Sequence, residues 1–237
     1  MDWRLIWVAI ALLYALVLPA AADRLLRRAR FETFVAADFV DPARRPRTSL
    51  LAAFRLMASQ RQFWWMLPVQ VLLPMLMTAA FLYQAPIALA KGWSTTFMAS
   101  LFTLFALTRA LTSLVSGSRI DHSGALKLAG WVAVPVTVAF LCLAWGTHPG
   151  FAVAFFVLSG CSAGASGNVL TAVWAELYGP EQLGAIKGLT GAVAVFSSAA
   201  GPALTGLLVS AGVSYAVLLS GFAVATGLAA WAGFRVR

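Results

Sequence analysis

Long apolar stretches separated by short polar turns dominate the chain. A helix needs about 20 mostly apolar residues to cross roughly 30 Å of hydrocarbon. Seven stretches meet this requirement, and each is apolar on every side, unlike the surface helices of soluble proteins. We therefore predict seven transmembrane helices, at residues 5–22, 63–90, 96–116, 127–147, 150–175, 185–210 and 212–234.

The composition supports a membrane protein and excludes other classes. Of the 237 residues, 61% are hydrophobic and 11% are charged, whereas a soluble domain has about 45–50% apolar and about 25% charged residues. So few polar side chains cannot cover a water-soluble globule, and the hydrophobicity is too high for a disordered chain. The two cysteines are too few for a disulfide framework or a four-cysteine zinc site. The expected fold class is an all-α, multi-pass membrane bundle.

One sizeable polar stretch, residues 23–62, separates the first predicted helix from the other six. It contains nine arginines and four acids, and two X-Pro steps interrupt any helix through it. Its last part, from Thr48, is amphipathic enough to lie on the membrane surface. We therefore divide the chain into a transmembrane helix (1–22), a basic cytoplasmic linker (23–62) and a six-helix bundle (63–237).

The distribution of basic residues predicts the orientation in the membrane. With the amino terminus outside, 14 of the 17 lysines and arginines lie on the cytoplasmic side, Arg4 and Lys91 lie outside, and Arg109 lies within the bilayer. This asymmetry is typical of a bacterial inner-membrane protein with a cytoplasmic carboxy terminus, and it explains the net charge of +9 without a nucleic-acid partner. Cleavage of a signal peptide after Ala20-Ala21-Ala22 is the open alternative, and it would invert every later helix.

Arg109 is the most informative single residue. It precedes Asp121 in the next turn by twelve residues, which is about 18 Å along a helix and places it near the middle of the membrane. A charge there costs at least a few kcal/mol. Arg109 either faces a water-filled cavity, where it binds an anionic substrate or couples to protons, or is neutralised by hydroxyls such as Thr108 and Thr112. The anionic substrate is the weaker hypothesis because it rests on Arg109 alone.

Amide side chains on two other helices are further candidates. Gln70, Met77 and Gln84 recur every seven residues in a helix that contains prolines, and the carbonyls that a proline frees must be satisfied inside protein or a cavity. The stripe indicates a cavity wall, although hydrogen bonding between helices is the alternative. In the fifth helix, small residues at a spacing of four indicate close packing, and Asn168 is a further cavity candidate. The candidate substrate pathway is therefore Arg109, Gln70, Gln84 and Asn168.

Serine patterns in the fifth helix suggest an intramembrane protease, which must be tested against the histidines. Residues 160–167 contain a G-x-S-x-G pattern and a segment that resembles the serine motif of rhomboid proteases. That family takes its base from a histidine on a later helix, whereas His122 and His148 both precede the serines. We therefore predict no enzymatic activity. The sequence also has no phosphate loop, dinucleotide fingerprint or metal-ligand cluster, so we expect no cofactor.

The turn after the third predicted helix carries the motif that points to a family. It reads Gly117-Ser-Arg119-Ile-Asp121-His122-Ser-Gly124. This resembles the G-x-x-x-D-R/K-x-G loop of the major facilitator superfamily, with His122 in place of the basic residue. In that family the loop joins the second and third helices of each six-helix half on the cytoplasmic side, as here. Two later features also resemble this family: Glu176 with the glycines that follow it, and the Gly201-Pro202 step.

The resemblance implies a partial permease for secondary active transport of a small solute. The first helix looks like the sixth family helix and residues 23–62 look like its central loop. The remaining helices look like the seventh to twelfth, so that the first five are missing. Asp121, Arg119 and Glu176 would then form a cytoplasmic latch that breaks as the two halves rock. The expected partners are the lipid bilayer, a small-molecule substrate, and either the missing amino-terminal half or a second copy. A non-transporting truncated protein or assembly subunit is the alternative function.

Overall fold

The computed structural model describes residues 50–236, together with Ala15 and Pro19. The first predicted helix and most of the basic linker lie outside the described residues. Residues 50–236 form helices and no strands, which confirms the all-α fold. The helices are α1 (Leu50–Ser59), α2 (Arg61–Leu82), α3 (Gln84–Ala90), α4 (Thr95–Ser123), α5 (Ala125–Leu128), α6 (Val134–Trp145), α7 (Gly150–Tyr178), α8 (Leu183–Ser210) and α9 (Tyr215–Phe234).

Five of these helices are long and apolar enough to cross a membrane, namely α2, α4, α7, α8 and α9. Helix α4 continues for seven residues beyond the predicted end at 116. Most of the Gly117–Gly124 motif therefore forms the last two turns of a helix, and the predicted loop shrinks to Gly124. That glycine ends α4 with a φ of 79°, a conformation that is strained for any residue with a Cβ.

The predicted helix at 63–90 is interrupted at Tyr83, between α2 and α3. Pro86 explains the position of the break because it has no N–H to donate to the carbonyl of Leu82. Pro68 and Pro74 lie inside α2, which remains one helix through both of them. Proline alone therefore did not predict where this segment breaks.

The prediction of one continuous helix at 127–147 is wrong. The short helix α5 is followed by a turn at residues 129–133 and then by the 12 residues of α6. Pro135 cannot donate to the carbonyl of Trp131, and it lies in the first turn of α6, where its missing N–H costs least. At about 18 Å, α6 is shorter than a straight membrane span. The count of seven transmembrane helices is therefore not confirmed.

The long helices pack in two parallel pairs, α4 with α7 and α2 with α8. In the first pair, the Gly160 backbone lies against Phe105 and Thr108, and two turns later Asn168 bonds to Ser113. A Cβ at Gly160 would lie 2.8 Å from the Phe105 carbonyl oxygen, so only glycine permits this approach. The small residues of α7 therefore pack α7 closely against α4, as the sequence pattern indicates.

A cluster of five phenylalanines lies between α2, α4 and α7, in the half of the bundle where α4 and α7 begin. Neighbouring ring centroids are 5.0 to 6.4 Å apart, and Phe81 contacts the four others. Aromatic pairs at these distances add stability beyond the area that they bury. The cluster fills this half of the helix interface, and its members are Phe81, Phe102, Phe105, Phe155 and Phe156.

Helices α4 and α8 are much less buried than the other membrane-length helices. Only 11% of the most apolar stretch of α4 and 17% of that of α8 is buried, against 50% for α9. The exposed faces carry large apolar side chains, including Leu111 and Leu114 on α4 and Phe196 and Leu207 on α8. These two helices thus offer apolar surface that must face lipid or another protein segment.

Candidate functional site

A cavity of about 440 Å³ lies between α2, α4, α7 and α8. It follows α7 from Ala163 to Trp174, which is about 16 Å along the helix axis. Phe81 and Phe105, two members of the phenylalanine cluster, line its wall, and their ring centroids are 5.0 Å apart. The cavity thus extends from the aromatic interior towards the end of the bundle at which α7 ends and α8 begins.

Two cationic side chains line this cavity, and its lining contains no aspartate or glutamate among the described residues. Arg109 is the middle residue of the 29-residue helix α4. Its side chain is exposed and forms no hydrogen bond or ion pair with another described residue. Lys187 lies in the second turn of α8, where its Nζ donates a hydrogen bond of 2.7 Å to Thr171 Oγ1. The cavity is therefore electropositive from its middle to one end.

Gln70 forms part of the opposite wall, as the glutamine stripe predicts, and it also connects two helices. Its Nε2 donates to the carbonyl oxygen of Thr190 at 3.0 Å, and its Oε1 is buried without a partner among the described residues. Both interpretations of this residue therefore hold: it lines the cavity and it bonds α2 to α8.

Gln84 and Asn168 do not line this cavity. The break at Tyr83 interrupts the helical repeat on which the stripe depends, so Gln84 begins α3 instead. Asn168 Nδ2 donates to the carbonyl oxygen of Ser113 at 2.7 Å and to Ser116 Oγ at 2.9 Å, which stabilises the pair of α4 and α7. The structure thus brings two of the four pathway candidates together, and a pathway role for each of the four stays a prediction.

Glu176 lies beside the end of the Gly117–Gly124 motif. Its carboxylate oxygens accept hydrogen bonds from the backbone N–H groups of Ala125 at 2.7 Å and Leu126 at 3.2 Å. A carboxylate at the start of α5 satisfies N–H groups that have no partner within the helix. Arg119 and Asp121 are exposed on the last turns of α4, and neither forms an ion pair with Glu176. Glu176 thus binds the backbone at the motif.

Lys187 is the cavity residue that sequence reasoning misses. The positive-inside count assigns it to the cytoplasmic surface together with the other basic residues of the turns. Its neighbours on the cavity wall are Thr190, Gly191 and Ala194, which recur at the three, four and seven residue intervals of one helix face. That periodicity could have identified the face, although the cavity itself depends on how α8 crosses α2.

The serines of the protease-like pattern bond to backbone carbonyls. Ser162 Oγ donates to the carbonyl oxygen of Val132, and Ser166 Oγ donates to that of Ala163. His148 is exposed and its Nδ1 accepts from the backbone N–H of Gly150. Each hydroxyl thus stabilises helix packing or its own helix.

Membrane-length apolar helices around a basic cavity define an integral, multi-pass membrane protein. The model of the Major Facilitator Superfamily matches residues 75–237, and the chain belongs to that family. The match includes Arg109, Lys187 and the Gly117–Gly124 motif, and it confirms the resemblance that this motif indicates. Members of the family are transporters. Neither the curated proteins nor the solved structures provide a match to this chain.

Proposed function

We propose that the chain serves the secondary active transport of a small solute, with the 440 Å³ cavity as the carboxy-terminal side of the pathway. The observation that carries this proposal is that Arg109 and Lys187 line one cavity whose lining has no acid among the described residues. The volume lies within the range of small-molecule sites, about 300–1,000 Å³. The midpoint position of Arg109 in α4 agrees with the depth at which such transporters bind substrate.

The substrate that this lining favours is an organic anion. Two cations in one cavity strengthen the hypothesis that first rests on Arg109 alone. At about 4 Å, one pair of opposite charges is worth about 4 kcal/mol at the effective dielectric constant of a protein surface. Phe81, Phe105 and Trp174 give the same cavity an apolar side. An anionic group with a compact apolar body therefore fits the lining better than a cation or a highly polar sugar.

The proposed latch consists of Asp121, Arg119 and Glu176, which lie at one end of the bundle. The positive-inside count assigns this end to the cytoplasm. Glu176 anchors the start of α5, while the exposed side chains of Arg119 and Asp121 are available to pair across to another segment. The proposal is that these pairs form in one conformation of the permease and break in the other.

A complementing six-helix half, either preceding this segment or supplied by a second copy, would complete the pathway. Helices α4 and α8 both line the cavity and both carry exposed apolar faces, which supports an opposing wall against these two helices. We expect the native product, detected with an antibody against the carboxy-terminal tail, to exceed the calculated 25.1 kDa by about five helices. A native product of 25.1 kDa would favour the second copy, or the alternative of a non-transporting protein.

Uptake in membranes that contain the native product tests the proposal. We expect a panel of small carboxylates, sulfonates and phosphate esters to include a transported solute. We also expect Arg109→Gln and Lys187→Gln each to lower its kcat/KM at least about tenfold, the effect of losing about 1.4 kcal/mol. The matched control is Lys127→Gln, an exposed cation on α5 outside the cavity. Unchanged uptake of every anion by Arg109→Lys, Arg109→Gln and Lys187→Gln would contradict the anionic substrate, and absence of uptake of any solute would contradict transport.

A further inference from the structure

A second depression, separate from the central cavity, lies where the start of α2 meets the end of α9. It has a volume of about 430 Å³, and we call it the two-arginine groove. No acid is among its described lining residues, which are Arg61, Gln62, Trp65, Phe234 and Arg235. A groove with two permanent positive charges and no negative one selects for an anion.

Paired tryptophans hold the two arginines beside each other. The Arg61 guanidinium carbon lies 5.8 Å from the Trp65 ring centroid, and that of Arg235 lies 5.0 Å from the Trp231 centroid. The two indole rings meet edge to face, with their centroids 5.5 Å apart. A guanidinium above an aromatic ring keeps its N–H edge free. Neither guanidinium group forms an ion pair or hydrogen bond with another described residue, so both N–H edges are available to a ligand.

Exposed tryptophans indicate the depth of this groove in the membrane. Trp64, Trp131 and Trp231 are each half exposed or more, and all three lie near the ends of helices around the groove. Tryptophans collect at the level of the lipid headgroups, where one side of the ring is apolar and the other is wet. Arg61 is the first residue of the membrane-length helix α2, and Arg235 directly follows α9. These positions favour a groove at the depth of the lipid phosphates.

We propose that the two-arginine groove binds the phosphate of an anionic phospholipid headgroup. Guanidinium groups bind phosphate oxygens through two parallel hydrogen bonds, which gives geometric specificity as well as attraction. The start of α2 adds backbone N–H groups that no side chain caps, and their partial positive charge points the same way. Because two cations face no acid, a headgroup with a net negative charge binds better than a zwitterionic one.

The test is lipid binding by the purified full chain in detergent, measured by native mass spectrometry. The probes are phosphatidylglycerol, phosphatidylcholine and inorganic phosphate. We expect phosphatidylglycerol to bind more tightly than phosphatidylcholine, and Arg61→Gln and Arg235→Gln each to weaken its binding about fivefold, the loss expected for one basic residue at a membrane surface. Arg55→Gln is the matched control because it removes the same charge from an exposed position on α1, outside the groove.

Three outcomes would overturn the proposal. Arg61→Gln and Arg235→Gln could bind phosphatidylglycerol as tightly as the parent chain, or Arg55→Gln could weaken it equally, which would indicate general charge attraction. Inorganic phosphate could displace the lipid at equal concentration, which would identify a site for a soluble anion.

A further pair of variants tests the geometry of the site. Arg61→Lys and Arg235→Lys, which keep the charge but lose the paired geometry, should bind with intermediate affinity. Binding is measured without transport, so the groove and the transport function can fail independently.

Discussion

The carbonyl oxygen of Arg109 occupies the space in which a side chain at position 164 would begin. A Cβ built on Gly164 collides with that oxygen and lies 3.0 Å from the backbone nitrogen of Ser113. Gly164 therefore fixes how closely α7 approaches the turn of α4 that carries Arg109. The position of the mid-membrane cation thus depends on a residue that has no side chain.

Replacement of Gly164 by alanine should separate α4 from α7 at the level of Arg109. Adding one methyl group to a well-packed contact costs about 1–3 kcal/mol, and we expect a loss of this size in the free energy of unfolding. Gly167→Ala is the matched control because nothing lies within 4 Å of its Cβ position on the same helix. Thermal unfolding in detergent measures both variants. Equal stability of Gly164→Ala and Gly167→Ala would contradict this account of the helix contact.

Replacement of Glu176 by glutamine should loosen the start of α5. The variant loses a charge-assisted acceptor for two backbone N–H groups, and bonds to charged groups contribute about 1.5–3 kcal/mol. We expect the amides of Ala125 and Leu126 to exchange with deuterium at least about tenfold faster, since 1.4 kcal/mol corresponds to a factor of ten. Glu181→Gln, an exposed acid outside this contact, should leave both amides unchanged. Protection that survives in Glu176→Gln would show that the carboxylate does not hold the turn.

Replacement of Asp121 by asparagine tests the proposed latch without disturbing the stability of the fold. Asp121 is exposed and forms no hydrogen bond or ion pair with another described residue, so we expect a change in stability within about 0.5 kcal/mol. If Asp121 pairs across to another segment in one conformation, transport rate and the labelling of single cysteines along α2 should both change. A variant with the parent's transport rate and the parent's labelling pattern would remove Asp121 from the latch.

At the end of the bundle opposite the Gly117–Gly124 motif, Lys91 connects the end of α3 to the end of α6. Its Nζ donates to the carbonyl oxygen of Ala144 in the last turn of α6 at 3.3 Å and to that of Gly146, which directly follows α6, at 2.8 Å. Burial lowers the pKa of Lys91 below its usual 10.5. The unfolded chain therefore holds this proton to a higher pH than the folded chain, and stability should rise as the pH increases from the folded pKa to 10.5.

The variant Lys91→Met removes this titration and the bonds to two carbonyl groups. We expect it to be less stable at pH 7, by about 1 kcal/mol for the lost hydrogen bonds. The difference in its free energy of unfolding from the parent should also depend on pH in the alkaline range. Chemical unfolding in detergent at a series of pH values measures this difference. A difference that stays constant up to pH 10.5 would contradict the lowered pKa.

The sequence predicts long uninterrupted helices well and their interruptions poorly. The predicted range 185–210 differs from α8 by two residues at its start, because an unbroken apolar run leaves one solution in a membrane. The breaks at Tyr83 and at residues 129–133 lie within long apolar runs that contain no charged residue. Proline is ambiguous there, since Pro74 lies inside a helix and Pro86 follows a break.

The residues of the candidate site likewise divide into those that the sequence alone identifies and those that depend on helix packing. Arg109 is recognisable because a charge within an apolar run is costly, and Gln70 because it lies in the same kind of run. Lys187 is close to a helix start, where a surface location is the ordinary interpretation of a basic residue. Its place on the cavity wall depends on the packing of α8 against α2. Those two helices are distant in the sequence: Gln70 and Thr190, which join them by a hydrogen bond, are 120 residues apart.

The pairing of α4 with α7 has a consequence for how the chain is made. Arg109 and Gly164 are 55 residues apart in the sequence, so at about 5–20 residues per second the ribosome adds the second roughly 3–11 s after the first. During that interval α4 enters the membrane with a cation at its centre and without the helix that packs against it. The Arg109 side chain is exposed and pairs with no other described residue even after α7 has packed, so insertion requires this flexible side chain to reach water or lipid headgroups.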